Sequence, residues 1–174
     1  MITVICGTNS RKSNTQKIAS IQYEYLKSQG ADCQMVSLTN LPLDMLSTDM
    51  YEQPTASFDA FQKKYLLPTD KYVICIPEYN GGVPGIFKLM IDASDIKNAW
   101  WNKKACLVGV ASGRSGNLRG LDHLTNMLNY LKMDVMKNKL PISQIHTLMD
   151  EEGGIIDQPT IDLLHEQMEQ FLNY

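Results

Sequence analysis

Three stretches of this sequence, Ile2 to Cys6, Tyr72 to Ile76 and Lys104 to Ala111, are apolar almost without interruption. Each is followed by a polar or glycine-bearing segment and then by apolar residues three and four apart. A strand with one wet face alternates apolar and polar residues, whereas a strand without alternation is covered on both faces. Covered strands separated by amphipathic helices are βαβ units, so the chain is expected to build a parallel sheet between two helix layers.

The remaining elements follow from spacing and stop signals. From Asn14 to Gln29 the residues Ile18, Ile21, Tyr25 and Leu26 recur at helical spacing, with Gly30 closing the pattern. Ala31 to Leu38 alternates around Met35, Val36 and Leu38 as a second strand. Pro84 suits the first turn of a helix reaching about Asp95, Leu118 to Leu131 is helical by spacing, and Met133 to Met136 is a short strand candidate. Pro159 opens a last helix through Leu172, with Ile161, Leu164, Met168 and Leu172 as its expected core face. Strands alternating with helices in this way, without an internal repeat, imply an α/β flavodoxin-like three-layer sandwich whose five-stranded parallel sheet has the order 2-1-3-4-5, one domain over residues 1–174. Ligands of that fold bind beyond the carboxyl ends of the strands at the switch point, which directs attention to the loops after strands one, three and four. The stretch Thr39 to Ser57, with Leu41-Pro42-Leu43 and Tyr51, is long for a βα connection, and such loops usually serve function or an interface.

Composition narrows the class. A chain of 174 residues with 44% hydrophobic and 20% charged residues carries enough apolar material for one core. A net charge of -3 without charge runs argues against nucleic-acid or membrane-surface partners. The opening MITVICGTNSRKSN turns polar too early for a signal peptide, and no later stretch is long and apolar enough to span a membrane, so a cytoplasmic location is expected. Of the cysteines, Cys6, Cys75 and Cys106 lie within the apolar runs and Cys33 lies apart, the pattern of free thiols in a reducing compartment.

The first loop, Gly7-Thr8-Asn9-Ser10-Arg11-Lys12-Ser13-Asn14-Thr15, combines hydroxyls, two cations and the free N–H groups of a helix start. That is a nest for one phosphate dianion. It lacks the G-x-G-x-x-G of a dinucleotide site and the G-K-[ST] of a P-loop, and its blander reading is an N-cap with solvated basic neighbours. The loop Pro77-Glu78-Tyr79-Asn80-Gly81-Gly82-Val83-Pro84-Gly85 is stiffened by proline at each end and lets backbone approach a flat ligand at its glycines; as composition alone it is a tight turn. The third loop, Ala111 to Gly120, offers backbone N–H groups and the Ser112 hydroxyl, and it places Ser one position late for a G-x-S-x-G elbow. His123, His146 and His165 show no metal-ligand spacing. Trp100-Trp101 reads as an interface anchor, and the methionines read as core filler.

Taken together, the loops resemble those of the NAD(P)H-dependent FMN reductases, a flavodoxin-like family that includes quinone, azo-dye and chromate reductases. Pro77-Glu78-Tyr79-Asn80 followed by Pro84-Gly85 matches the family's P-E-Y-N-x-x-x-P-G, and Gly7 to Asn14 stands where it has a G-S-x-R-x-x-S-like loop. Leu41-Pro42-Leu43, Gly113 to Gly120 and Asp150 to Gly154 resemble its other loops. The resemblance implies that Ser10, Arg11, Ser13, Asn14 and Thr15 hold the FMN phosphate. It implies further that Pro77, Glu78, Tyr79, Asn80 and Gly81 line the ring edge and that Ser112, Gly113 and Arg114 complete the pocket. The chain departs from the family's P-G-x-L-K-N-A-I-D-W at Pro84-Gly-Ile-Phe-Lys88-Leu-Met-Ile-Asp92-Ala-Ser, which bears on substrate range and subunit contact.

The implied activity is hydride transfer from NAD(P)H through bound FMN to a quinone, azo compound, free flavin or similar small acceptor, with no catalytic side chain and no metal. A flavodoxin-type one-electron carrier and a non-catalytic interaction protein of the same fold are the rival readings. A homodimer or homotetramer is expected, with the Thr39 to Ser57 loop and the Trp100-Trp101 pair as apolar material beside the crevice.

Overall fold

The computed structural model describes residues 1–47 and 49–174. Its sheet is parallel throughout, with β1 (Ile2–Cys6), β2 (Cys33–Ser37), β3 (Lys71–Pro77), β4 (Lys104–Val110) and β5 (Asp134–Val135) in the order 2-1-3-4-5. A sixth strand, β6 (Leu140–Ile142), also pairs with β4, so two short pieces share the fifth position. Between them the buried Gln167 side chain takes over the interrupted ladder, its Nε2 donating to the carbonyls of Leu107 at 3.2 Å and Asn138 at 3.0 Å. An unpaired carbonyl there would cost about 1–3 kcal/mol.

The helices are α1 (Asn14–Ser28), α2 (Ala56–Tyr65), α3 (Gly85–Ala93), α4 (Ile96–Ala99), α5 (Leu118–Tyr130) and α6 (Gln158–Asn173). Helices α1 and α6 cover one face of the sheet and α2 to α5 the other, which is why the central strands carry no polar face. Along β3, Tyr72, Ile74 and Ile76 enter the α2 to α5 core, while Val73 and Cys75 enter the α1/α6 core. Cys6, Cys75 and Cys106 all point to the latter.

Several expectations need correction. Helix α2 and strand β6 lie outside the pattern read from sequence: α2 is short and buries only Phe58, Phe61 and Gln62, and β6 is a short strand containing Pro141. In α6 the fully buried positions are Leu164, Gln167, Met168 and Phe171, while Ile161 and Leu172 are only partly covered, so the core stripe is rotated from the one expected. Trp100 belongs to the core and not to an interface. It is fully buried, stacks on Tyr72 with ring centroids 4.8 Å apart, and donates from Nε1 to Ser94 Oγ at 2.7 Å. Trp101 is half-buried beneath Lys132, whose Nζ stands 3.7 Å from the ring centroid. Both tryptophans precede β4, at the amino end of the sheet and away from the crevice. In the Thr39 to Ser57 loop Leu41 and Met45 are buried and Leu43, Leu46 and Tyr51 are exposed; Thr48 lies outside the described residues.

Candidate functional site

The first loop turns tightly off β1. Gly7 donates its N–H to the Cys75 carbonyl at 2.8 Å, and a Cβ there would stand 3.1 Å from that carbonyl oxygen and 2.9 Å from Ile76 Cδ1, so glycine eases the chain's close pass to β3. Ser13 then caps α1, its Oγ accepting the Gln16 N–H at 3.2 Å. That bond uses a lone pair and leaves the Ser13 hydroxyl proton free. Asn14 and Thr15, the first residues of α1, present N–H groups with no preceding turn to accept them.

After β3 the chain closes a two-residue hairpin. Tyr79 and Gly82 exchange backbone hydrogen bonds of 3.0 and 3.1 Å, and the intervening Asn80 and Gly81 have φ of 54° and 75°. This is the Asn-Gly geometry of a type I′ turn. The base of the hairpin is tied to β4 by the Glu78 N–H on the Val110 carbonyl at 3.0 Å. The third loop is held from two sides. The buried Asn117, at a φ of 65°, accepts the Gly120 N–H to cap α5 and donates from Nδ2 to the Ile76 carbonyl at 2.9 Å. From the other side, Ile145 and Gln144 N–H groups engage the carbonyls of Ala111 and Gly113 at 3.1 Å each. These bonds fix the loop's position beside the end of β4.

These three loops enclose a crevice of about 190 Å³ at the carboxyl ends of β1, β3 and β4. Of the residues expected to form a site, Ser10, Ser13, Asn14, Thr15, Pro77, Glu78, Tyr79 and Ser112 line it. Arg11, Asn80, Gly81, Gly113 and Arg114 do not: Asn80 and Gly81 form the turn of the hairpin, and the side chains of Arg11 and Arg114 are exposed. Thr8, Lys12, Val110, Ala111 and Ile145 also line the crevice, beyond the residues the sequence points to. Thr8 and Lys12 carry a signal as members of the phosphate-nest loop, whereas Ile145 arrives from the turn after β6 and carries none. Across the crevice Tyr79 Oη lies 2.7 Å from Thr8 Oγ1.

The donor set at the α1 end fits a phosphate monoester: helix-start N–H groups, the hydroxyls of Ser10, Ser13 and Thr15, and the Lys12 ammonium. Cys6 is the nearest thiol, with Sγ 3.9 Å from Ser13 Oγ, and burial raises its pKa, as it does those of Cys75 and Cys106. Such thiols stay protonated and make poor nucleophiles. Lys88, on the flank, is engaged by Asp92 at 2.5 and 2.7 Å.

A family model described as NADPH-dependent FMN reductase matches residues 1–147, a span that contains all three loops and Ile145. The chain belongs to that family. Its flavodoxin-like fold and its class as an NAD(P)H-dependent FMN and quinone reductase type of oxidoreductase follow. An NAD(P)H-dependent FMN reductase of Pseudomonas aeruginosa is 23% identical over 172 residues, covering 97% of this chain and 92% of that protein. A 2-hydroxy-1,4-benzoquinone reductase of a Burkholderia species is 24% identical over 174 residues, covering 98% and 93%. Among solved structures, FerB of Paracoccus denitrificans, a flavoenzyme NAD(P)H:(acceptor) oxidoreductase, superposes with a TM-score of 0.82 at 21% identity over 99% of this chain and 95% of its own. Among the described residues no helix is long and apolar enough to cross a membrane.

Proposed function

We propose that the chain binds FMN in the 190 Å³ crevice and carries hydride from NAD(P)H to a small acceptor such as a quinone, azo compound or free flavin. The observation that carries this reading is the meeting, in one crevice, of a phosphate-type donor set at the start of α1 with the Tyr79 hairpin and the Ser112 loop. Ser10, Ser13, Asn14 and Thr15 hold the phosphate, with Lys12 as its counter-charge. Pro77, Glu78 and Tyr79 border the ring edge, Asn80 and Gly81 keep the hairpin tight, and Ser112 with Gly113 closes the far side. Arg11 and Arg114 stand at the rim, available to an anionic co-substrate.

FMN, when bound, supplies the two-electron chemistry. The residues of the chain supply position and charge. N–H donors of the third loop favour negative charge beside them, as donors do in an oxyanion hole. The crevice is smaller than the roughly 300–1,000 Å³ that encloses a drug-sized ligand, which supports a ring left open on one face for the nicotinamide and the acceptor to use in turn.

The relatives named for quinone and flavin reduction favour acceptors of that kind. We propose further that the chain is cytoplasmic, where its free thiols stay reduced, and that it forms a two-fold homo-oligomer. The exposed Leu43, Leu46 and Tyr51 remain surface for that contact. The apolar groove of about 480 Å³ between α3 and α5, with the exposed Tyr130 at its side, takes the place of the tryptophan pair.

The purified protein should be yellow or take up FMN in preference to FAD. Anaerobic NADPH or NADH should bleach it, a quinone should restore the colour, and steady-state kinetics should be ping-pong. Failure to bind FMN, or reduction only by one-electron donors, would overturn the reading. Light scattering that shows a 19.6 kDa particle at micromolar concentration would remove the oligomer and leave the cofactor assignment standing.

A further inference from the structure

Tyr79 is 41% exposed, yet its hydroxyl is held 2.7 Å from the hydroxyl of a residue 71 positions earlier. That residue, Thr8, is 1% exposed, and its Oγ1 also accepts the Ser10 N–H at 3.2 Å. A threonine hydroxyl has one proton and two lone pairs, so it can serve both partners at once. The tyrosine is in turn the first residue of a hairpin closed by reciprocal bonds to Gly82. One short relay therefore joins the hairpin, Tyr79, Thr8 and the backbone of Ser10 at the other end of the crevice. The hairpin cannot shift as a unit without breaking the Tyr79 to Thr8 bond or dragging the phosphate-end loop with it.

We propose that Tyr79 is a positioning residue whose hydroxyl, through Thr8, couples the phosphate end of the crevice to its ring end. The proposal rests on the FMN reading and deepens it. A phosphate seated on the first loop fixes Ser10, Ser10 fixes Thr8, and Thr8 holds the hairpin at the ring edge. The ring end is thereby set by a group that never touches it, and the phosphate contributes to affinity beyond its own contacts.

Riboflavin lacks the phosphate and reports the ring end alone, so the test compares FMN with riboflavin by fluorescence titration. Tyr79→Phe should lower the melting temperature of the ligand-free protein by no more than a few degrees, because the bond it removes is already made without ligand. It should weaken FMN about fivefold, the coupling lost between the phosphate end and the hairpin, while riboflavin changes less than about twofold. In a Thr8→Val background the relay is already cut, so adding Tyr79→Phe should alter the FMN-to-riboflavin preference by less than about twofold. Thr8→Ser, which keeps the hydroxyl, should restore it. Equal losses for both ligands would make Tyr79 a simple ring contact and overturn the coupling, as would no loss or an additive double variant. If Thr8→Val does not fold, the preference measured for Tyr79→Phe alone decides. A wild-type protein that binds neither ligand overturns the FMN reading itself, and the coupling with it.

Discussion

Both ends of the sheet carry cations, but the two ends use them differently. At the amino end Lys71 Nζ donates to the carbonyls of Phe171 and Leu172 at 3.1 and 3.2 Å, Lys103 Nζ to those of Leu66 and Leu67 at 3.2 and 3.3 Å, and Lys104 to that of Tyr174. The amino terminus pairs with Asp70 at 2.7 Å. Burial holds the pKa of Lys71 and of Lys103 below the usual lysine range. At the carboxyl end Arg11, Lys12, Arg114 and Arg119 form no ion pair among the described residues. Lysines at one end are tied to backbone carbonyls of the fold, and cations at the other form no ion pair among the described residues. Composition counts both kinds alike; only their partners separate charge tied into the fold from charge left unpaired.

The contrast between the ends is tested most strongly at Trp100. Trp100→Ala should lower stability by about 3–5 kcal/mol, read as a fall in chemical and thermal midpoints, because it opens a cavity against Tyr72. FMN affinity of the folded fraction should stay within about twofold. Subunit dissociation at unchanged stability would instead return Trp100 to an interface.

Lys12→Met should do the reverse. It should weaken FMN by about 1–3 kcal/mol, the worth of a charge-assisted bond, with riboflavin affinity and the melting midpoint unaffected. Arg11→Met, outside the crevice lining, should cost less than about a third of that, and the opposite ranking would exchange the two cations' roles. At the amino end, Lys103→Met should lower stability by at most about 1 kcal/mol, since the Leu67 carbonyl loses this donor while that of Leu66 keeps the Tyr72 hydroxyl at 2.8 Å, and it should leave flavin titrations unchanged.

The smallest effect is at Tyr174, whose hydroxyl donates to Asp134 at 2.6 Å and whose pKa that bond pushes up to about 12. A phenol raised above its unfolded value of about 10 contributes stability below pH 10 and loses it between pH 10 and about 12. The stability difference between wild type and Tyr174→Phe should therefore vanish over that window, and a difference that grew with pH would reverse the assignment. The pair is exposed, so the change is small.

Much of the carboxyl end is legible in the sequence. Gly7, Asn80-Gly81 and the Ser13-Asn14 helix start carry their backbone requirements in their own side chains, or in the lack of one. Asn117 is harder to read, since its cap to Gly120 is local but its bond to Ile76 spans two loops. The amino end is easily misread because an adjacent tryptophan pair looks the same in sequence whether it is exposed or buried, and the Ser94 hydroxyl and Tyr72 ring that bury Trp100 come from neighbouring elements. Helix α2 leaves little trace because Phe58, Phe61 and Tyr65 make too short a stripe to stand out from a loop.

By itself the sequence determined the layered parallel sheet and the three loops at the strand ends. Each of these follows from local periodicity or local backbone preference, since burial and turn energetics act residue by residue along the chain. Tertiary structure alone decided that Lys12 rather than Arg11 faces the crevice and that Ile145 closes it. It also decided that Gln167 bridges the broken fifth strand and that Tyr79 reaches Thr8. These depend on where distant segments come to rest, because a side chain's partner across a fold is set by the packing of whole elements and leaves no period in the sequence.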